Sequence, residues 1–225
     1  MRGAAAIWHD VECGAYDADL RLWEEVAEEY GDPILELGCG TGRVALHLAR
    51  RGYEVIGLDR DPELIHELGK RARDLPVQTV CADALGFELD RRVPVALAPM
   101  QFMHLMGSQE ERLHCLRNVR EVLQPGGVLA AALLDKLPSV PAGALPPLPD
   151  VREVDGWIYS SQPIGLVGWL GPKLILERLR QTVSPEGTLR EENTKIELLF
   201  VEVEELEAEA KTVGFVPAGG AIIPE

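Results

Sequence analysis

The sequence predicts an α/β fold: a doubly wound, mostly parallel sheet with an antiparallel β insertion after its fifth strand. Three observations carry this. Ile34-Leu-Glu-Leu-Gly-Cys-Gly-Thr-Gly-Arg43 reads as a buried strand that runs into a glycine turn and opens a helix. From there to Asp135, apolar β-like runs alternate with amphipathic stretches, the pattern of parallel strands joined by helices. After residue 136 the pattern changes to prolines, then to strands joined without helices. The 225 residues and 46% hydrophobic content suffice for one such domain with an insertion.

The elements follow in order. Asp17 to Tyr30 is an amphipathic helix, with Leu20, Trp23, Val26, Ala27 and Tyr30 on one face and Glu24, Glu25, Glu28 and Glu29 on the other. Gly31-Asp-Pro33 stops it. In the turn, Gly38, Gly40 and Gly42 can take positive φ and let the backbone approach a ligand. The helix behind, Val44 to Arg51, points its free N–H groups at whatever sits there. Tyr53-Glu-Val-Ile-Gly-Leu-Asp59 is the second strand, and its closing acid suits a ribose diol. Asp61 caps the next helix, with Pro62 at its first position. Val77 to Asp83 is the third strand and Pro94 to Pro99 the fourth. Ser108-Gln-Glu-Glu111 is a capping box that opens a helix running to Leu123, with Leu113, Leu116, Val119 and Leu123 inward. The fifth strand is Val128 to Asp135.

Between Lys136 and Asp150 stand five prolines, at 138, 141, 146, 147 and 149. They exclude helix and central strand and leave an extended connector or lid edge. Trp157 to Tyr159, Leu174 to Val183 and Leu189 to Phe200 then read as antiparallel strands, the last two joined by a turn at Ser184-Pro-Glu-Gly187. Glu202 to Val213 is an acidic helix, and Gly214-Phe215 begins another strand. This divides the chain into a core at 1–135 with an N-terminal helical segment, a connector and β cap at 136–200, and a helix and strand at 201–225 that return to the core.

A net charge of −15 disfavours a nucleic-acid partner, which needs a Lys/Arg surface, and equally an anionic membrane. Cysteines at 13, 39, 81 and 115 form no Cys-x-x-Cys pair and have no His cluster beside them, so neither a metal site nor a disulfide framework is expected. A reducing cytoplasm fits. The apolar run Ala4-Ala-Ala-Ile-Trp8 is too short for a signal peptide. No stretch approaches the ~18 uncharged apolar residues of a membrane-spanning helix.

The spacing of the turn is Gly-x-Gly-x-Gly, preceded by Glu36 and followed in order by Gly57-Leu-Asp59. These two motifs resemble motif I and its successor in class I S-adenosyl-L-methionine (SAM)-dependent methyltransferases. A dinucleotide fingerprint is Gly-x-Gly-x-x-Gly instead. That difference, and the lack of a Tyr-x-x-x-Lys pair, argue against a nicotinamide-dependent oxidoreductase. The resemblance covers nearly the whole chain. It implies a Rossmann-like, seven-stranded-type sheet, SAM as cofactor and a small-molecule acceptor. It places Glu36, Gly38, Cys39 and Gly40 at the cofactor, with Asp59 and Arg60 beside them. Asp83 would accept from the adenine amino group and the Ala84 N–H would donate to the ring, next to Leu85. Pro99, Met100 and Gln101 follow strand four, where open α/β sheets bind ligands. Tyr16 would reach the methionine end of SAM, or else is a core aromatic. Arg43 either meets the cofactor carboxylate or is a solvated first-turn residue. Similar proteins continue into a final antiparallel strand where this chain stops at Ile222-Ile-Pro-Glu225.

Methyl transfer from a sulfonium is an in-line displacement, so the protein mainly supplies position. An alcohol, phenol or ammonium acceptor also needs a base. His104, in the segment after strand four, is the expected catalytic residue, because imidazole titrates near neutrality. Its alternative is a histidine packed against the following helix. Trp8, His9, Met103, His104, Trp157 and Tyr159 are the expected acceptor-binding set, with Trp169 beside them and His9 a second candidate base. Individually each aromatic is more often core. Neither an Asn/Asp-Pro-Pro-Tyr/Phe tetrad nor a Pro-Cys pair follows strand four, which argues against methylation of a nucleic-acid base. The expected function is methyl transfer to N, O or C of a small molecule. The alternative is a non-catalytic protein that binds SAM or its product S-adenosylhomocysteine (SAH) as a partner or scaffold. The sequence does not fix the oligomeric state and leaves a homodimer through the exposed cap open.

Overall fold

A computed structural model of the chain describes residues 3–134, 147–170 and 173–223, the side chains of 166–170 excepted. Two helices, α1 (Ala4–Cys13) and α2 (Leu20–Tyr30), precede the sheet. Then come β1 (Ile34–Leu37), α3 (Arg43–Ala49), β2 (Val55–Asp59), α4 (Pro62–Arg71), β3 (Val77–Cys81), β4 (Val93–Ala98), a 3₁₀ turn (Phe102–Leu105), α5 (Gln109–Val122) and β5 (Leu123–Ala131). The five strands are parallel, in the order β3-β2-β1-β4-β5. All four residues of β1 are buried, as expected of a central strand covered on both faces. The chain runs outward from β1 to β3 and crosses back to β4. The carboxyl ends of β1 and β4 therefore flank the topological switch point, where such sheets bind ligands.

One face of the sheet packs Trp23, Ala27, Leu46, Leu48 and Leu68 from α2, α3 and α4. The other packs Met103, Leu116 and Val119, with Leu206 of the last helix. That helix, α6 (Val203–Thr212), follows four strands: β6 (Asp150–Val154), β7 (Trp157–Leu170), β8 (Lys173–Val183) and β9 (Leu189–Leu199). They form one antiparallel sheet in chain order. Arg112 of α5 is buried and forks onto Glu209 of α6 at 2.8 and 2.6 Å, which pins α6 to the core. No helix among the described residues is long and apolar enough to cross a membrane.

Several local expectations change. The segment before Asp17 holds a ten-residue helix, α1, and the next helix starts at Leu20. The insertion has four strands: β6 was not anticipated, and β7 runs from Trp157 to Leu170. Its register shifts between Pro163 and Gly165, which breaks the alternation that would have marked it. Ser184 to Gly187 forms the expected turn, with the Gly187 N–H donating to the Ser184 carbonyl at 2.9 Å. After Gly214 the described residues hold no strand. Pro217 lacks a ladder N–H and Gly219 sits at φ 131°, both unfavourable to one. The parallel sheet therefore has five strands among the described residues, not seven. The proline-rich connector lies mostly outside those residues.

Candidate functional site

The turn after β1 depends on its glycines. Gly38, Gly40 and Gly42 have φ of 63°, 54° and 94°. A Cβ on Gly38 would lie 2.5 Å from the Phe102 ring, and one on Gly40 would lie 2.1 Å from His9 Nε2. Asp59, at the end of β2, holds the turn in shape. Its Oδ2 accepts from the Gly40 N–H and its Oδ1 from the Asp61 N–H, both at 2.9 Å. Asp61 in turn caps α4 by accepting from the Glu63 N–H at 2.8 Å. Cys39 is buried behind the turn, its N–H donating to the Leu58 carbonyl at 3.0 Å, and Arg60 is exposed.

Glu36 is buried, and its Oε2 has no partner among the described residues. Burial pushes its carboxyl up to about 8, against the Arg43 charge and a hydrogen bond from Ala45. Arg43 takes neither expected role. Its guanidinium forks onto the buried Asp19, with Nη2 to Oδ2 at 2.7 Å, and donates to the Tyr16 carbonyl at 2.9 Å. Trp23 also donates to Asp19, at 2.8 Å. The Tyr16 ring lies 5.2 Å from the guanidinium and is 37% exposed, so it is not a core aromatic.

Across β2 and β3, Asp59 is in register with Cys81, two residues before Asp83. Asp83 is exposed, its Oδ1 accepting from the Leu85 N–H at 2.9 Å. The Ala84 carbonyl accepts from Asn118 at 3.0 Å. Pro99 is buried at the end of β4. Met100 has φ 55°, strain of about 1–3 kcal/mol for a residue with a side chain, placed at the switch point. Gln101 starts the 3₁₀ turn, and its carbonyl accepts from the His104 N–H at 2.9 Å.

The segment after β4 does not present a free base. His104 is fully buried and stacked on Phe200 at 5.7 Å. Its Nδ1–H donates to the Leu199 carbonyl at 3.1 Å, and its Nε2 accepts from the Leu134 N–H at 3.0 Å. Burial lowers its pKa, against the Leu199 bond. Both nitrogens are committed, so no lone pair is left for a proton. His104 instead joins the ends of β5 and β9 to the 3₁₀ turn. Met103 is likewise buried in the core.

The acceptor side is shaped by α1. Trp8 meets Tyr159 of β7 edge-on at 5.4 Å, and Arg180 of β8 lies 4.9 Å over the Trp8 ring. Trp157 is two residues from Tyr159, on the same strand face. The Trp169 side chain lies outside the described residues. Two carboxylates on α1, absent from the sequence expectations, tie the parts together. Asp10 binds Arg71 of α4 at 2.6 Å and the Thr41 hydroxyl at 2.7 Å. Glu12 accepts from Ser161 at 2.7 Å and from Arg180 at 2.7 and 2.9 Å. The available signal was the helical spacing of apolar Ala6, Ile7 and Val11, which puts Asp10 on the inward face of a short helix.

Known proteins are similar to this chain. The family described as a methyltransferase domain matches residues 34–127. The carboxy-S-adenosyl-L-methionine synthase of Pseudomonas paraeruginosa is 36% identical over 108 residues, 43% of this chain and 42% of that protein. The cypemycin N-terminal methyltransferase of a Streptomyces species is 33% identical over 105 residues, 47% of this chain and 42% of that protein. The chain thus spans less than half the length of these curated relatives. An X-ray structure of a sugar N-methyltransferase from Streptoalloteichus matches 95% of this chain and 85% of its own, with a TM-score of 0.74 at 19% identity, a likeness of fold.

Proposed function

We propose that this chain, whose residues 34–127 match a methyltransferase domain, is a class I enzyme that moves a methyl group from SAM to N, O or C of a small-molecule acceptor in the cytoplasm. The observation that carries the reading is the glycine turn held onto the Asp59 carboxylate by the Gly40 N–H. The residues fit the cofactor. Each Asp59 oxygen accepts one backbone bond and keeps a further lone pair for a hydroxyl. The buried Glu36 Oε2 has no partner among the described residues, so it can accept from a donor. Tyr16 is stacked against Arg43, and Asp83 is exposed, with one oxygen accepting from the Leu85 N–H. SAM supplies an activated methyl group on a sulfonium.

The chain's own work is to bind, orient and exclude water. Met100 and Gln101 border the switch point. Trp8, Trp157 and Tyr159 offer aromatic walls to the acceptor. With His104 engaged at both nitrogens, an acceptor that brings its own free lone pair, such as a neutral amine, demands least of these residues. Val151, Ile158 and Leu189 are exposed on one face of the antiparallel sheet, which supports a homodimer there. We assign no nucleic-acid or membrane partner.

The test is calorimetric titration of SAH into the protein and into an Asp59→Ala variant. Micromolar binding, lost in the variant, is expected. No binding by folded wild-type protein overturns the reading. A second reading, binding without transfer, is favoured by the engaged His104. Transfer of labelled methyl to any member of an amine and phenol panel rules it out.

A further inference from the structure

The neighbour of Gly40 is a histidine whose protonation pattern can be read from its partners. Asp10 accepts from Arg71 at 2.9 and 2.6 Å and lies 3.3 Å from Arg152. These guanidiniums hold its carboxyl below the usual range despite burial, so it is an ionised acceptor. The Thr41 hydroxyl, 2.7 Å away, must therefore donate to it. Thr41 Oγ1 is then the acceptor for His9 Nδ1, at 3.2 Å. The relay fixes His9 as the Nδ1–H tautomer and leaves Nε2 as a bare acceptor. Burial also keeps the ring neutral, lowering its pKa against the pull of Asp10 and Asp59.

Nε2 has no hydrogen-bond partner among the described residues, and it lies against Gly40, where a Cβ would come within 2.1 Å. The N–H of that same glycine holds the Asp59 carboxylate. Two acceptors, Nε2 and the Asp59 carboxylate, thus adjoin Gly40. Neither can donate. A vicinal diol, which carries two neighbouring O–H donors, is a ligand that can satisfy both.

We propose that His9 is a cofactor-binding residue: its Nε2 accepts a hydrogen bond from one hydroxyl of the cofactor ribose while Asp59 takes the other. Thr41 and Asp10 are positioning residues that set the tautomer. This moves His9 from the acceptor side to the cofactor side, and it rests on the SAM reading above.

The test pairs two proteins with two ligands, SAH and its 2′,3′-dideoxy analogue, by calorimetry. A neutral hydrogen bond of about 0.5–1.5 kcal/mol corresponds to roughly two- to thirteenfold in affinity. His9→Phe keeps a ring over Gly40 and is expected to bind SAH weaker by about that factor, yet to bind the dideoxy analogue as wild type does. Nitrogen-15 spectra of the unaltered protein give a second readout that does not depend on the variant folding. The His9 Nε2 resonance is expected at the unprotonated position and to move on addition of SAH but not of the analogue. Unchanged SAH affinity in His9→Phe, or an Nε2 resonance unmoved by bound SAH, overturns the inference alone. Failure of wild-type protein to bind SAH overturns the SAM reading and this inference together.

Discussion

Glu12 joins α1 to the antiparallel sheet, and its removal should cost the protein heavily. The carboxylate is 10% exposed and carries two hydrogen bonds from Arg180 and one from Ser161, with Arg178 at 3.5 Å. Alanine leaves these cations short of a partner. Breaking a buried pair from one side costs about 3–5 kcal/mol. Arg178 keeps Asp150 at 2.6 Å and Arg180 is 22% exposed, so the low end applies, about 3 kcal/mol. For a chain of this length that lowers the melting midpoint by about 6–12 °C. Differential scanning calorimetry of Glu12→Ala reads it, and a shift under about 2 °C refutes the reasoning. The pH dependence supplies a check of sign. Burial raises the Glu12 pKa, but hydrogen bonds from Arg180 and Ser161 and both arginine charges outweigh it, so the folded value is depressed. Its contribution is present above the unfolded value of about 4.3 and is lost as pH falls through the folded value. The stability gap between wild type and Glu12→Gln should therefore narrow from pH 5 to pH 3, measured by urea unfolding.

Three further perturbations follow from the same geometry. Glu36 is raised to about 8, so the stability linked to its proton is present below about 4.3 and falls as pH rises through 8; Glu36→Gln should gain on wild type across that range in urea unfolding at stepped pH. Gly40→Ala places a methyl 2.1 Å from His9 Nε2 at φ 54° and should destabilise by about 1–2 kcal/mol; adding His9→Ala should recover part of the loss in thermal melts, and strict additivity would show that the two do not collide. Glu209→Ala leaves the buried Arg112 only the half-exposed Glu205, at 3.3 Å, and should cost about 3 kcal/mol, whereas Arg112→Met with Glu209→Leu should be near neutral by the same melts.

The parallel half of the fold was legible because its signals are local. Ile34 to Gly42 specifies strand, turn and helix through burial of a short apolar run and through positive φ at three glycines. Asp61 and Pro62 open α4, and Ser108 caps α5 by accepting from the Glu111 N–H at 3.2 Å, each through the first-turn N–H groups beside it. The antiparallel half was legible only in part. Lys173 to Leu199 shows as a hairpin around Ser184–Gly187, but β6 and the length of β7 depend on pairing across the bulge at Pro163 and Gly165.

By itself the sequence determined the sheet, its glycine turn and the acids that end β2 and follow β3, because each follows from neighbours within a few residues. Only the tertiary structure decided what the ionisable side chains do. His104 looked free after strand four, yet Leu134 and Leu199, from 30 and 95 residues away, take both its nitrogens. Arg43 looked like a residue for a ligand or for solvent, yet Asp19 holds it. His9 looked like an acceptor-side residue, yet α1 lays it on Gly40 and Thr41 sets its tautomer. Backbone conformation is set by local sterics and burial period. The role of a titratable group is set by the partners that distant segments bring within about 3 Å of it.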